Sequence, residues 1–167
     1  MFYLPLLLRL VFAGPAVPQG APAPPVVVER LGSGREQRLQ LQGHPHLIVF
    51  FSTWCTRCPQ YLRLLMRAPE LRRGGVELVP VDLLPSELPG DVQVFWRRLG
   101  RSAPLYLDRY GQVTDAYQVA NLPTAVLINK KGRIVGTLEG AKKRAELRRL
   151  LERLKETARA RTPRDRV

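Results

Sequence analysis

Cysteine and histidine are both scarce in this chain, with two of each in 167 residues. The two cysteines fall together in "FFSTWCTRCPQ", residues 50–60, three positions apart. A bridge between Cys55 and Cys58 would close a loop of about four residues, for which the chain-entropy account gives roughly 2 kcal/mol, against about 3 kcal/mol for a loop of about fifteen. Such a pair is badly placed to hold a fold together, so reactivity is the first expectation. Acidic residues are few as well, 14 against 27 Lys and Arg, which leaves a net charge of +13. That balance permits contact with anionic membranes, nucleic acid or acidic partners. It is uneven: residues 142–167 carry eleven Lys/Arg against Glu146, Glu152, Glu156 and Asp165, a net of +7. A basic C-terminal stretch of this kind reads as a solvated helix face and a frayed end, not as nucleic-acid recognition.

No long uninterrupted apolar run is present. The opening "MFYLPLLLRLVFAGPAVPQGAPAPP" is broken by Pro5 and Arg9, too short to span a bilayer, and no Lys or Arg precedes it. It reads as an export signal, with cleavage sites after Ala16 or Ala23, followed by an extended Pro-rich linker. No cysteine follows it, which excludes lipid anchoring at that point. There is no internal repeat. The expected organisation is therefore a signal-like segment and linker over residues 1–25, one domain over 26–160 and a basic tail over 161–167.

With 45% hydrophobic residues the chain can bury a sizeable core. "VVVERL" (26–31) and "EQRLQL" (36–41) flank a glycine turn and predict a hairpin. "HLIVFFST" (46–53) is a continuous apolar run of strand length, as for a strand covered on both faces. Helical spacing from Thr56 to about Ala68, then a buried strand in 74–84, make a strand-helix-strand unit. A helix over 91–100 ending at Gly100, a short strand at 104–108, a short helix at 111–119 and two strands hinged at Lys131-Gly132 within 124–140 follow. The final helix, from about Lys142 to Arg159, places Leu147, Leu150, Leu151, Leu154 and Ala158 on one stripe.

A cysteine at a strand-to-helix turn meets unpaired backbone N–H groups and the positive end of the helix dipole, both of which favour a thiolate. Cys55 is thus the expected acidic, attacking thiol. Cys58, one turn on, is the expected resolving thiol, with Thr56 and Arg57 between them as pKa-tuning residues. An inert buried bridge is the bland alternative. Zinc is another, since His44 and His46 bring the count to four potential ligands. The spacing fits zinc poorly, because the strand at 46–53 would carry both histidines to the far end of the sheet from Cys55.

Three features occur together: "FFSTWCTRC" after a buried strand, "LPT" at 122–124, and the ending "PLYLDRYGQVTDAYQVANLPTAVLINKKGRIVGTLEG". Over about residues 26–155 the chain resembles the TlpA/ResA-type thioredoxin-like family of extracytoplasmic thiol-disulfide oxidoreductases. The resemblance implies an α/β thioredoxin fold, a central mixed sheet flanked by helices, with an extra N-terminal β-hairpin and a central helical insertion near 85–102. It implies that Pro123 is cis and faces the cysteines, that Leu122 offers its backbone to a substrate strand, and that Trp54 flanks the substrate groove. It implies no metal and no organic cofactor. The partners it implies are protein disulfide or dithiol substrates and a membrane thiol electron donor. Export to the periplasm or another extracytoplasmic space, a monomeric state and weak membrane-surface contact through the basic C-terminal helix complete the expectation.

The departures from the family pattern concern protons. Val49 stands where thioredoxins keep a buried acid, and Tyr61 stands where many close relatives keep a Glu. Asp82, at a strand end, reads as a turn cap near the edge where sites gather. Pro59 follows Cys58, so distortion of the first helical turn is expected. Three other readings stand beside a reductant: an oxidant or isomerase of the same fold; a peroxide-reducing relative, disfavoured by Ile48 where such enzymes place a proline; and a non-catalytic binding module.

Overall fold

The computed structural model describes residues 17–83, 85, 87–100 and 103–159. In chain order the elements are β1 (Val27–Arg30), β2 (Glu36–Arg38), β3 (His46–Phe51), α1 (Cys58–Met66), α2 (Pro69–Arg73) and β4 (Glu77–Asp82). There follow α3 (Pro89–Leu99), β5 (Tyr106–Leu107), α4 (Gln112–Ala116), β6 (Thr124–Ile128), β7 (Ile134–Glu139) and α5 (Arg144–Arg159). They form a seven-stranded mixed sheet in the order β2-β1-β5-β4-β3-β6-β7.

β3 has a strand on each side and a layer of side chains on each face, which is why its sequence shows no polar alternation. Its five apolar residues, Leu47 to Phe51, are all 0% exposed, each worth roughly 1.5–3 kcal/mol relative to an exposed side chain. Alternate residues point to opposite faces. Leu47, Val49 and Phe51 join one core with Tyr61 and Leu62 of α1, Trp96 of α3, and Leu147 and Leu150 of α5. Ile48 and Phe50 join the other, with Val79 and Val81 of β4, Val113 of α4 and Tyr117. β4 runs parallel to β3, with Phe51 opposite Asp82, after the crossover through α1 and α2. β6 runs antiparallel on the other side, with Phe50 opposite Thr124.

Several boundaries differ from the sequence reading for local reasons. The first helix begins at Cys58, not Thr56, with Arg57 as N-cap and Pro59 in the first turn. A proline there is undistorting, since its missing N–H would have no intrahelical partner. The helix ends at Met66, and Pro69 opens a second one after an extended Ala68 at φ −71°, ψ 107°, the geometry that a following proline favours. Gly100 caps α3 at φ 92°, in the left-handed region, as predicted. On α5 the buried stripe holds from Leu147 to Leu151, Leu154 is half-buried, and Ala158 is exposed.

Part of the predicted linker is attached to the domain. Gly20 and Ala23 donate their N–H groups to Ile134 and Gly132, Ile134 donates back to Ala21, and Tyr117 donates its hydroxyl to Pro24 at 2.8 Å. The signal-like opening through Ala16 and the tail over 161–167 lie outside the described residues. Among the described residues no helix is long and apolar enough to cross a membrane.

Candidate active site at the carboxyl edge of the sheet

β3 delivers Ser52, Thr53 and Trp54 directly to Cys55, and a tight turn then starts α1. The turn is closed by backbone hydrogen bonds from Cys55 N–H to Ser52 and from Cys58 N–H to Cys55, at 3.3 and 3.1 Å. Cys55 and Cys58 form a disulfide, with Cα atoms 5.4 Å apart. Their surroundings are unequal. Cys58 is 0% exposed as the first residue of α1, whereas Cys55, ahead of the helix, is 8% exposed. Of the two, Cys55 is the less buried.

Around the pair, Thr56 and Arg57 are exposed and Trp54 is 60% exposed. The Leu122–Pro123 peptide bond is cis. Continuing the β3–β6 register past Phe50 opposite Thr124 sets Pro123 level with Phe51, at the edge from which the cysteine loop departs. Pro123 is buried and Leu122 half-buried. Sequence proximity thus supplies Trp54 to Arg57, and the antiparallel pairing of β6 brings Leu122 and Pro123 to the same edge. His44 and His46 lie at the opposite end of β3, as the strand's length predicted, so a joint zinc site with the cysteines is excluded.

Two acids complete this edge. Glu87 accepts hydrogen bonds from Thr53 N–H at 2.9 Å and from the Thr53 hydroxyl. This ties the loop after β4 to the loop that carries the cysteines. Leu88, next to Glu87, and Trp54, next to Thr53, are both exposed. Asp82 corrects its reading as a turn cap. It is 0% exposed, and neither carboxylate oxygen has a hydrogen-bond partner. The capping acid is Asp108, which accepts from Thr114 N–H at 2.8 Å, from the Thr114 hydroxyl at 2.7 Å and from Val113 N–H at 3.3 Å.

The pleat settles where Asp82 points. Val79 and Val81 belong to the face of Ile48 and Phe50, so Asp82 shares the opposite face with its register partner Phe51. That is the face covered by α1, where Phe51, Cys55 and Cys58 share one core. Burial first, and the Glu87 charge second, push the Asp82 carboxyl up to about 8. Tyr61 is no substitute acid: burial, then Glu146, push its phenol up to about 12. The sequence signal for the two missed acids is "VDLLPSE", an acid closing a buried strand and another five residues on.

Comparison with known proteins agrees with this geometry. A thioredoxin-like domain family model matches residues 35–155. The thiol-disulfide oxidoreductase ResA of Geobacillus thermodenitrificans is 33% identical over 142 residues, covering 84% of this chain and 80% of the relative. That of Bacillus subtilis is 33% identical over 132 residues, covering 78% and 73%. Among solved structures, StoA from Bacillus subtilis matches with a TM-score of 0.62 at 26% identity, covering 77% of this chain and 98% of that one. A putative thiol:disulfide interchange protein DsbE from Chlorobium tepidum matches with a TM-score of 0.71 at 22% identity, covering 83% and 99%, and so shares the fold. The chain belongs to the thioredoxin-like family and is a thiol-disulfide oxidoreductase.

Proposed function

We propose that the Cys55–Cys58 pair reduces disulfides in protein substrates outside the cytoplasm, with Cys55 attacking and Cys58 resolving. The observation that supports the role assignment is the difference in burial: Cys55 keeps 8% of its surface exposed and Cys58 none. In the dithiol form the Cys55 thiolate attacks one sulfur of a substrate disulfide. The substrate S–S bond breaks, one substrate thiolate leaves, and a mixed disulfide remains on Cys55. Cys58 then loses its proton and attacks the Cys55 sulfur. The mixed bond breaks, the second substrate thiolate departs, and the Cys55–Cys58 disulfide forms, two electrons having passed to the substrate. A membrane thiol donor returns them.

Asp82 supplies the proton acceptor that Val49 and Tyr61 do not. It is buried on the same face and at the same end of the sheet as Cys58, and an acid held near 8 matches an ordinary thiol more closely than a free carboxylate does. Leu122 and Pro123 present an edge of backbone for an extended substrate segment, and Trp54 and Leu88 offer apolar contact beside it. Thr56 and Arg57 face the approaching substrate, where the Arg57 cation favours the thiolate. Apocytochrome c is one client class for such an enzyme. The excess positive charge toward the C-terminus favours weak contact with an anionic membrane surface.

Cys58→Ser leaves the mixed disulfide unresolved. Incubated with oxidised extracellular proteins, this variant is expected to accumulate adducts that dithiothreitol releases. Adducts that survive in a Cys55→Ser, Cys58→Ser double variant, or full turnover by Cys58→Ser, would overturn the assignment.

A further inference from the structure

Both histidines of the chain, His44 and His46, converge at the end of the sheet remote from the cysteines, and the fold adds a third group from another strand. Parallel pairing sets His46 directly opposite Glu77, and Glu77 N–H donates to Pro45, between the histidines, at 2.9 Å. His44 Nε2 lies 2.6 Å and His46 Nε2 3.7 Å from the same Glu77 oxygen, Oε2. One ligand atom from each of the three residues lies within 4.8 Å of the others. The imidazole rings lie side by side, with centroids 4.2 Å apart.

One member of this cluster is unsatisfied. His46 is 3% exposed, and its Nδ1 is buried without a hydrogen-bond partner. Its Nε2, 3.7 Å from Glu77, is beyond hydrogen-bond reach. Buried polar groups are normally paired, but Nδ1 is not the nitrogen that faces Glu77; the ring atom turned toward an ion there is Nε2. We infer that His44, His46 and Glu77 form a binding site for a zinc-class divalent metal ion, separate from the redox pair. Two imidazoles and one carboxylate are a zinc donor set with a fourth position open to water, and tetrahedral bond lengths of about 2.0–2.1 Å put neighbouring ligand atoms about 3.3 Å apart. Reaching that spacing asks for sub-ångström shifts in the two distances to Glu77, and for the two histidine nitrogens, within 4.8 Å of each other, to close to about 3.3 Å. His44 and Glu77, about half exposed, can make them, and both leave the ion open to solvent. The bound ion would cross-link the start of β3 to the start of β4.

The test uses the full-length protein kept in its disulfide form, so that no thiolate competes for metal. Zinc chloride is titrated by calorimetry, and the melting temperature is followed against zinc concentration. The expected result is one zinc per chain and a melting temperature that rises with zinc. His44→Ala and Glu77→Gln, both at exposed positions, are each expected to weaken binding by at least about tenfold. They should leave disulfide exchange unchanged, and a Cys55→Ser, Cys58→Ser variant should still bind. Absence of binding at sub-millimolar zinc, or the parent's affinity retained in both His44→Ala and Glu77→Gln, would overturn the inference.

Discussion

Asp82 is the residue on which the chemistry and the stability of this protein meet. An ionised carboxylate with no hydrogen bond in a buried site is costly, so the folded state holds its proton well above the ordinary value. Its pKa is raised from 3.8 to about 8. Across that interval the folded state binds more protons at Asp82 than the unfolded state does, so its contribution makes stability fall as pH rises. Asp82→Asn removes the titration. The variant should therefore gain stability relative to the parent as pH rises from about 4 to about 8, by up to several kcal/mol at about 1.4 kcal/mol per pKa unit. Chemical denaturation of both proteins at acid and mildly alkaline pH measures the difference. The variant should also resolve mixed disulfides more slowly near neutrality, on the order of a hundredfold, as for loss of a general base. A parallel pH profile of resolution in parent and variant would show that Asp82 takes no part.

At the scale of elements, α5 is fastened to the domain in two ways. Glu70 of α2 accepts hydrogen bonds from Arg144 Nε and Nη2 and from Arg148 Nε, each at 2.8 Å, and these hold its carboxyl down at about 2. The other fastening is steric. Gly136 in β7 leaves room for Leu150, whose Cδ1 would stand 2.8 Å from an added methyl carbon, with Arg153 Nη2 at 2.9 Å. The Arg153 tip can move aside, but Leu150 is 0% exposed in the core and cannot. Gly136→Ala should thus destabilise the protein by about 1–3 kcal/mol, as overpacking does. Thermal melts of parent and variant check this. Disulfide exchange at temperatures where both remain folded should be unchanged, because Gly136 is level with Leu127 and Leu47, toward the end of the sheet away from the cysteines.

For the molecule as a whole, the decisive quantity is the equilibrium between the dithiol and disulfide forms. A reductant of protein disulfides should show a potential in the thioredoxin-like range, below about −200 mV, whereas strong oxidants of this fold lie near −120 mV. Equilibration with glutathione or dithiothreitol buffers measures it, and a value above about −150 mV would assign the protein to oxidation instead. In the proposed mechanism Asp82 bears on this balance as well, since its charge would oppose a thiolate at Cys58 and its proton acceptance would ease the formation of one. The excess of positive charge contributes at long range, where it attracts acidic surfaces in a salt-dependent way.

The local features of the site were legible in the chain itself. A continuous apolar run predicts the doubly covered strand β3, and the turn that follows it carries Trp54, Cys55, Thr56, Arg57 and Cys58 by covalent connection alone. Helix and strand periodicities likewise foretell most elements, because each depends on neighbours within a few turns of chain. The start of α1 was misplaced because the turn before Cys58 is closed by backbone bonds, which leave no mark in side-chain periodicity.

What depends on register could not be read along one dimension. Whether Asp82 caps a turn or lies unpaired in the layer under α1 is decided by which face of the sheet its side chain takes at the end of β4. That Glu87 binds Thr53, and that Glu77 meets both histidines, follows from parallel pairing across a crossover of some two dozen residues. By itself the sequence determined the redox chemistry, since two thiols and a helix start sit within one turn of chain. Only the tertiary structure decided which charged groups are buried near them, Asp82 above all, because buried charge takes its energy from groups that the fold, and not the chain, brings near.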